Sequence, residues 1–236
     1  MNDRFIQKLT ISWDRIPRDT YLRKIPSVSS LNELEFTRNI TFFVGENGSG
    51  KSTLLEAIAV AAGFNAEGGT MNYRFSTYDD VSELSRAVQL YRGYRKPRAG
   101  YFFRAESFFN VASAIMMKYN DDGRLPDYHS ASHGESFLSF MQSSDRQGLY
   151  LMDEPEAALS PQRQLTLLIH IAKMAEAGSQ FIIVTHSPIL LGIPDASILS
   201  FDDGTIHSCA YEETESYQVT KLFLENRERM LKQLLE

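Results

Sequence analysis

Residues 45–53 read Gly45-Glu46-Asn47-Gly48-Ser49-Gly50-Lys51-Ser52-Thr53 and satisfy the pattern G-x-x-x-x-G-K-[ST] in full. The spacing carries a mechanism. The glycines let successive backbone N–H groups turn inward around phosphate oxygens, with Asn47, Ser49 and Thr53 completing the cradle. Lys51 is long enough to reach the β- and γ-phosphates, and Ser52 is placed to ligate Mg²⁺. The flanks supply the context that a bare motif lacks. Ile40-Thr41-Phe42-Phe43-Val44 is an apolar, β-branched and aromatic run that feeds the loop as a strand. Leu54-Leu55-Glu56-Ala57-Ile58-Ala59-Val60-Ala61-Ala62 follows as a strong helix former, with Gly63 as its C-cap. A triphosphate bound here sits on a helix N-terminus, where the dipole and free N–H groups favour anions.

The 236 residues allow a large core in one domain, or in one domain of two lobes, and 43% hydrophobic with 23% charged residues is ordinary for a globular chain. No apolar run approaches the ~18 residues that mark a membrane span. Met1 to Lys8 lack the apolar core of a signal peptide. The single cysteine, Cys209, excludes an internal disulfide and suits a reducing compartment, so the chain reads as cytoplasmic. A net charge of −6 gives an average surface that does not attract nucleic acid. Residues 86–104 depart from that average. They carry Arg86, Arg92, Arg95, Lys96, Arg98 and Arg104 with no acid, interleaved with Tyr91, Tyr94, Tyr101, Phe102 and Phe103. Such a segment can grip a nucleic-acid backbone and stack on bases. The alternatives are a solvated basic face, or arginines that face a partner protein or the nucleotide.

Hydrophobic patterning predicts strands over 5–13, 34–37 and 40–44, broken by Pro17 and Pro26. It predicts helices over 79–94, starting at Asp79-Asp80, and over 107–119, then an exposed loop over 120–133 and a short helix from Glu135 to about Gln142. A strand over 149–152 precedes a long helix with Ser160 as N-cap and Pro161 in its first turn, ending before Gly178. Phe181 to Thr185 is a second continuous apolar strand, which implies a central parallel sheet. Residues 198–210 form a hairpin around Asp202-Asp203-Gly204. The tail from Tyr217 is one amphipathic helix with Glu225/Arg229 and Glu228/Lys232 pairs on its exposed side.

Met152-Asp153-Glu154-Pro155 ends a buried strand with adjacent carboxylates. Alternation normally sends neighbours to opposite faces, but at a strand's C-terminal edge both can reach a phosphate site. Asp153 can hold Mg²⁺ directly or through water, and Glu154 can polarise the water that attacks the γ-phosphate. His186, in Val184-Thr185-His186-Ser187, ends the next strand and can hydrogen-bond the γ-phosphate or that water.

In this order the motifs resemble those of the ATP-binding-cassette (ABC) ATPases: the phosphate loop at 45–52, the strand-Asp-Glu-Pro segment at 149–155, the Ala157-Ala158-Leu159-Ser160 turn and the switch histidine, His186. The resemblance covers nearly the whole chain. It implies an α/β P-loop NTPase fold with an ABC-ATPase-like core, a mainly parallel sheet, an N-terminal antiparallel β part and a small helical lobe. One domain would span 1–236, with the nucleotide lobe over about 1–75 and 145–236 and the helical lobe over about 76–144. It further implies ATP and Mg²⁺ as ligands, ATP hydrolysis, and a homodimer closed around two ATP molecules. In that dimer Ser132 and Gly134, within Ser130-Ala131-Ser132-His133-Gly134-Glu135-Ser136, reach the partner's ATP. Ala131 stands where the family has leucine and His133 where it has its first glycine. Glu106, in Arg104-Ala105-Glu106-Ser107, stands where transporters place a metal-contacting glutamine. Together with Glu135 it leans toward the branch of the SMC, RecF and DNA-repair ATPases, although the span from 54 to 129 leaves no room for a long coiled coil. The expected role is an ATPase coupled to a partner protein or to DNA or RNA, with no direct membrane insertion. The alternatives are the nucleotide-binding subunit of a membrane transporter and a slow ATP-gated clamp.

Overall fold

Ile40–Val44 forms β3, buried at every position, and is an inner strand of the main sheet. In the computed structural model, which describes residues 4–71, 82–104, 138, 141 and 146–235, that sheet has seven strands. Beside β3 these are β4 (Gly69–Thr70), β6 (Ala99–Arg104), β7 (Gly148–Asp153), β8 (Gln180–Val184), β9 (Ser197–Ser200) and β10 (His207–Ser208). The order is β10-β9-β3-β8-β7-β6-β4. The five inner strands are parallel, and β10 and β4 close the edges antiparallel. The expected mainly parallel sheet is present.

A second sheet of three antiparallel strands is ordered β2-β1-β5: β1 (Ile6–Ile11) is flanked by β2 (Glu33–Glu35) and β5 (Val88–Arg92). Five of the helices pack on these sheets or under the phosphate loop: α1 (Pro26–Ser29), α2 (Lys51–Ala62), α3 (Glu83–Ala87), α4 (Pro161–Glu176) and α5 (Pro188–Leu191). Two more, α6 (Glu215–Glu225) and α7 (Arg227–Leu235), end the described chain. Among the described residues no helix is long and apolar enough to cross a membrane.

Strand alternation divides the core into two layers. Phe43, Phe102, Leu149, Leu151, Ile182 and Val184 face α2 and the three-stranded sheet. Phe42, Val44, Phe103, Tyr150, Met152 and Ile183 face the other way, onto Leu167, Ile171 and Met174 of α4. Both faces of the parallel strands are covered, which is why 40–44, 148–153 and 180–184 read as continuous apolar runs. The same parity puts Asp153, two residues beyond Leu151, on the α2 side.

Three expectations are corrected. The helix over 79–94 is only α3 within the described residues. Its N-cap is Ser82, whose hydroxyl accepts the Leu84 N–H at 3.3 Å, and from Val88 the chain becomes β5. The strand wins because Val88, Leu90 and Arg92 lie opposite Ile11, Leu9 and Ile6 of β1, a long-range pairing that local periodicity cannot anticipate. The tail is two helices interrupted at Asn226, so Glu225 and Arg229 stand on separate helices. The first strand ends at Ile11, with Trp13 in a 3-10 turn. The expected helix at 107–119, loop at 120–133 and most of the proposed helical lobe lie outside the described residues.

Candidate nucleotide site

The loop between β3 and α2 follows from its glycines. Gly45, Gly48 and Gly50 all have positive φ (132°, 81° and 94°). Gly50 is the strictest case. A Cβ there would stand 2.4 Å from Val28 Cγ2 and 3.0 Å from Ile25 Cγ2, because α1 packs beneath the loop and the Ser27 hydroxyl donates to the Ser49 carbonyl. We expect Gly50→Ala to cost about 1–3 kcal/mol of stability through overpacking, added to the left-handed backbone penalty. Thermal melting checks this, and an unchanged midpoint would mean that α1 does not press on the loop in solution.

The other end of the loop is held from the end of the neighbouring strand, β9. Asp202 Oδ1 accepts the Glu46 N–H at 2.9 Å, and Asp202 Oδ2 accepts the Ser200 hydroxyl at 3.0 Å. A Cβ on Gly45 would meet Asp202 Oδ1 at 2.8 Å. Neither Asp202 nor Ser27 carries a local signal in the sequence, since Asp202 reads as an ordinary turn residue before Asp203-Gly204.

Lys51 begins α2 and is buried. Its Nζ donates to the Gly45 and Glu46 carbonyls, each at 2.7 Å. Burial pushes the ammonium below its ordinary pKa, against the upward pull of Glu154, Asp202 and Asp153. Ser52 donates its hydroxyl to Asp153 Oδ1 at 2.9 Å, joining positions 101 residues apart. Arg104, level with Asp153 on the neighbouring strand, brings Nε within 4.0 Å of Asp153 Oδ2. Its Nη1 lies 2.8 Å from Glu56 Oε2 and donates to the Ala66 carbonyl at 3.0 Å. This half-buried guanidinium therefore lies beside the carboxylate expected to face the metal, a placement the motif reading did not provide.

Glu154 is exposed and adopts a left-handed backbone (φ 49°, ψ 54°), a conformation that costs a non-glycine residue on the order of 1 kcal/mol. Its N–H donates to the Val184 carbonyl at 3.0 Å, so it leaves β7 while still tied to β8. His186 is exposed two residues beyond β8. Its backbone N–H donates to Glu156 Oε1 at 2.6 Å. Burial pushes the Glu156 carboxyl pKa up, opposed by that N–H and assisted by the nearby Glu154 charge. A carboxyl with a raised folded pKa favours the folded state most below its unfolded pKa, and this contribution is lost as pH rises through the folded pKa. Glu156→Gln is accordingly expected to melt above the parent at pH 8, with the gap narrowing toward pH 5. A gap that widens on acidification would contradict the burial.

The arrangement fits a phosphate chain with Mg²⁺. A Cβ added at Gly48 meets nothing within 4 Å, and Ser49 Oγ is buried without a protein partner, as a hydroxyl facing a phosphate would be. Among the described residues no group of three or more His, Cys, Asp or Glu could hold a metal alone. A Mg²⁺ held by one hydroxyl, one carboxylate and phosphate oxygens needs none. Ser132, Gly134 and Glu106 lie outside the described residues. The structure thus brings Lys51, Ser52 and Asp153 together, with Glu154 and His186 at the same edge of the sheet.

Comparison with known proteins agrees with this architecture. Residues 21–89 match a family model described as an AAA domain. Residues 120–192 match a second AAA-domain model, whose description names an AbiEii toxin of a type IV TA system. No curated protein matches the chain in sequence. Among solved structures, an SMC head bound to the C-winged helix domain of ScpA matches at TM-score 0.50 and 15% identity, over 88% of this chain and 99% of that one. The SMC head domain from Thermotoga maritima matches at TM-score 0.46 and 15% identity, over 87% and 98%. Two segments of the chain are thus similar to AAA-domain models, and the chain as a whole has the fold of an SMC head.

Proposed function

We propose that the chain is a single ATPase domain that binds Mg-ATP on residues 45–53 and hydrolyses it to ADP and phosphate. The observation that carries this reading is the 2.9 Å hydrogen bond from Ser52 to Asp153, with Glu154 following on the same strand end. Backbone N–H groups of the loop would cradle the β- and γ-phosphates, and Lys51 would turn from the Gly45 and Glu46 carbonyls to the γ-phosphate. Ser52 and Asp153 would hold Mg²⁺, which supplies charge neutralisation across the phosphates. Glu154 would take the proton of the attacking water, and His186 would hydrogen-bond the γ-phosphate. Transition-state charge is met by fixed donors, so positioning supplies most of the acceleration.

The active form we infer is a homodimer in which Ser132 and Gly134 of one chain meet the ATP of the other. ATP then contributes part of the interface, so assembly depends on nucleotide. Light scattering on Glu154→Gln tests this. A doubled mass with Mg-ATP and a monomer without it is expected, and an unchanged monomer at saturating ATP would rule the sandwich out.

Nucleic acid is the partner favoured by the basic segment, but only part of that segment is available for it. Arg92 Nη2 donates to the Ala61 carbonyl at 3.0 Å, near the end of α2. Arg95 donates to the Gln147 side chain and lies 5.9 Å from the Phe5 ring centre. Lys96, Arg98, Tyr91 and Tyr94 are exposed. Reversing Lys96 and Arg98 to Glu is expected to remove binding to DNA or RNA. Parental binding should weaken with salt at a log–log slope of about 0.9 per phosphate contact on duplex DNA. Absence of parental binding at about 50 mM salt, a low-salt condition that favours such contacts, would favour a protein partner instead. The SMC head of matching fold was itself solved bound to a winged-helix domain.

A further inference from the structure

Two catalytic candidates stand where the regular sheet has already ended. Glu154 has left β7 in a left-handed turn, and His186 lies beyond the last residue of β8. No ladder hydrogen bond sets one against the other, so their separation depends on local ties. One is the Glu154 N–H on the Val184 carbonyl at 3.0 Å. The second is a side chain: Glu156 reaches across from the turn after Glu154, and its Oε1 accepts the His186 N–H at 2.6 Å. Glu156 Oε2 is enclosed, and the donors that face this carboxyl, the His186 N–H first among them, belong to the protein rather than to solvent. A buried acidic side chain is costly to keep, and a threonine or serine could end the turn without that cost.

We propose that Glu156 is a positioning residue: its side chain pins the backbone at His186 and so sets His186 against Glu154 at the γ-phosphate end of the site. This rests on the ATPase reading above and adds a residue to it. The contact is to the backbone of residue 186, so it fixes where the imidazole starts from without itself touching ATP. A short acceptor would not span from the turn to the end of β8, whereas glutamine would, because its amide oxygen can accept the same N–H.

The test is steady-state ATP hydrolysis by the full chain carrying Glu156→Ala, Glu156→Gln, His186→Ala, and Glu156→Ala with His186→Ala. Displacement of a catalytic group by about 1 Å can cost on the order of 100-fold, so Glu156→Ala is expected to lose roughly 10–100-fold in kcat with KM for ATP near the parental value. Glu156→Gln should restore most of the rate. The double variant should be no slower than His186→Ala alone, because the imidazole that Glu156 positions is already gone. Losses that multiply in the double variant, or a Glu156→Gln as slow as Glu156→Ala, would overturn the proposal. So would a Glu156→Ala enzyme at the parental rate.

A second measurement does not depend on turnover. In protein labelled with ¹⁵N at histidine, the His186 amide proton should lie far downfield in the parent and in Glu156→Gln, and move upfield in Glu156→Ala. An amide unmoved by Glu156→Ala would show that the bond is not made in solution and would overturn the placement. A parent that hydrolyses no ATP would instead overturn the ATPase reading and the catalytic part of the proposal with it, while the amide shift would still report the bond.

Discussion

Glu154→Gln is expected to bind ATP as the parent does and to hydrolyse it on the order of 10²–10⁴-fold more slowly, the range that a positioned general base supplies. The argument is local. Glu154 is exposed at the end of β7, while Asp153 beside it is buried against Ser52, so the two carboxylates have different neighbours and different work. Glutamine keeps the shape and the backbone tie to Val184 but cannot accept the proton of the attacking water. The left-handed backbone at 154 is equally strained for glutamine, so the substitution should leave stability close to parental. Phosphate release under saturating Mg-ATP measures the loss. A Glu154→Gln chain that turns over at the parental rate would transfer the role of base to His186.

Lys51→Ala is expected to weaken ATP binding by roughly 10–150-fold, the equivalent of one charge-assisted phosphate contact of about 1.5–3 kcal/mol. The substitution acts twice. It removes the cation proposed to reach the γ-phosphate, and it deprives the Gly45 and Glu46 carbonyls of the donor that holds them at 2.7 Å. The second effect loosens the cradle before any nucleotide arrives. Isothermal titration with Mg-ATP measures the sum, and an unchanged affinity would remove residues 45–53 as the nucleotide site.

The strand–loop–helix over 40–63, the Asp153-Glu154 strand end and the strand before His186 were legible in the sequence. Each is a local pattern in which a buried apolar run meets residues of unusual chemistry at its end. The elements that escaped are those whose cause is distant in the chain. Val88 to Arg92 continues a helical periodicity in one dimension and becomes a strand only because β1 lies beside it. The break at Asn226 likewise left no mark in the amphipathic pattern of the tail. Asp202 and Ser27 shape the phosphate loop from 156 and 22 residues away. Glu156 could have been read as a third acid in an acidic turn, but only its 2.6 Å contact with the N–H of His186 reveals what it holds. Arg104 was legible as a basic residue of a basic segment. Its lateral register with Asp153 is what gives it a place beside the carboxylate proposed to face the metal.

Phosphate release from ATP by the parent chain, followed with Mg²⁺ and again with excess EDTA, tests the site most directly. Steady turnover that needs Mg²⁺ and is absent from a Lys51→Ala preparation purified in the same way is the predicted result. Release no greater than that of the Lys51→Ala preparation, in the presence of Mg²⁺, would contradict it.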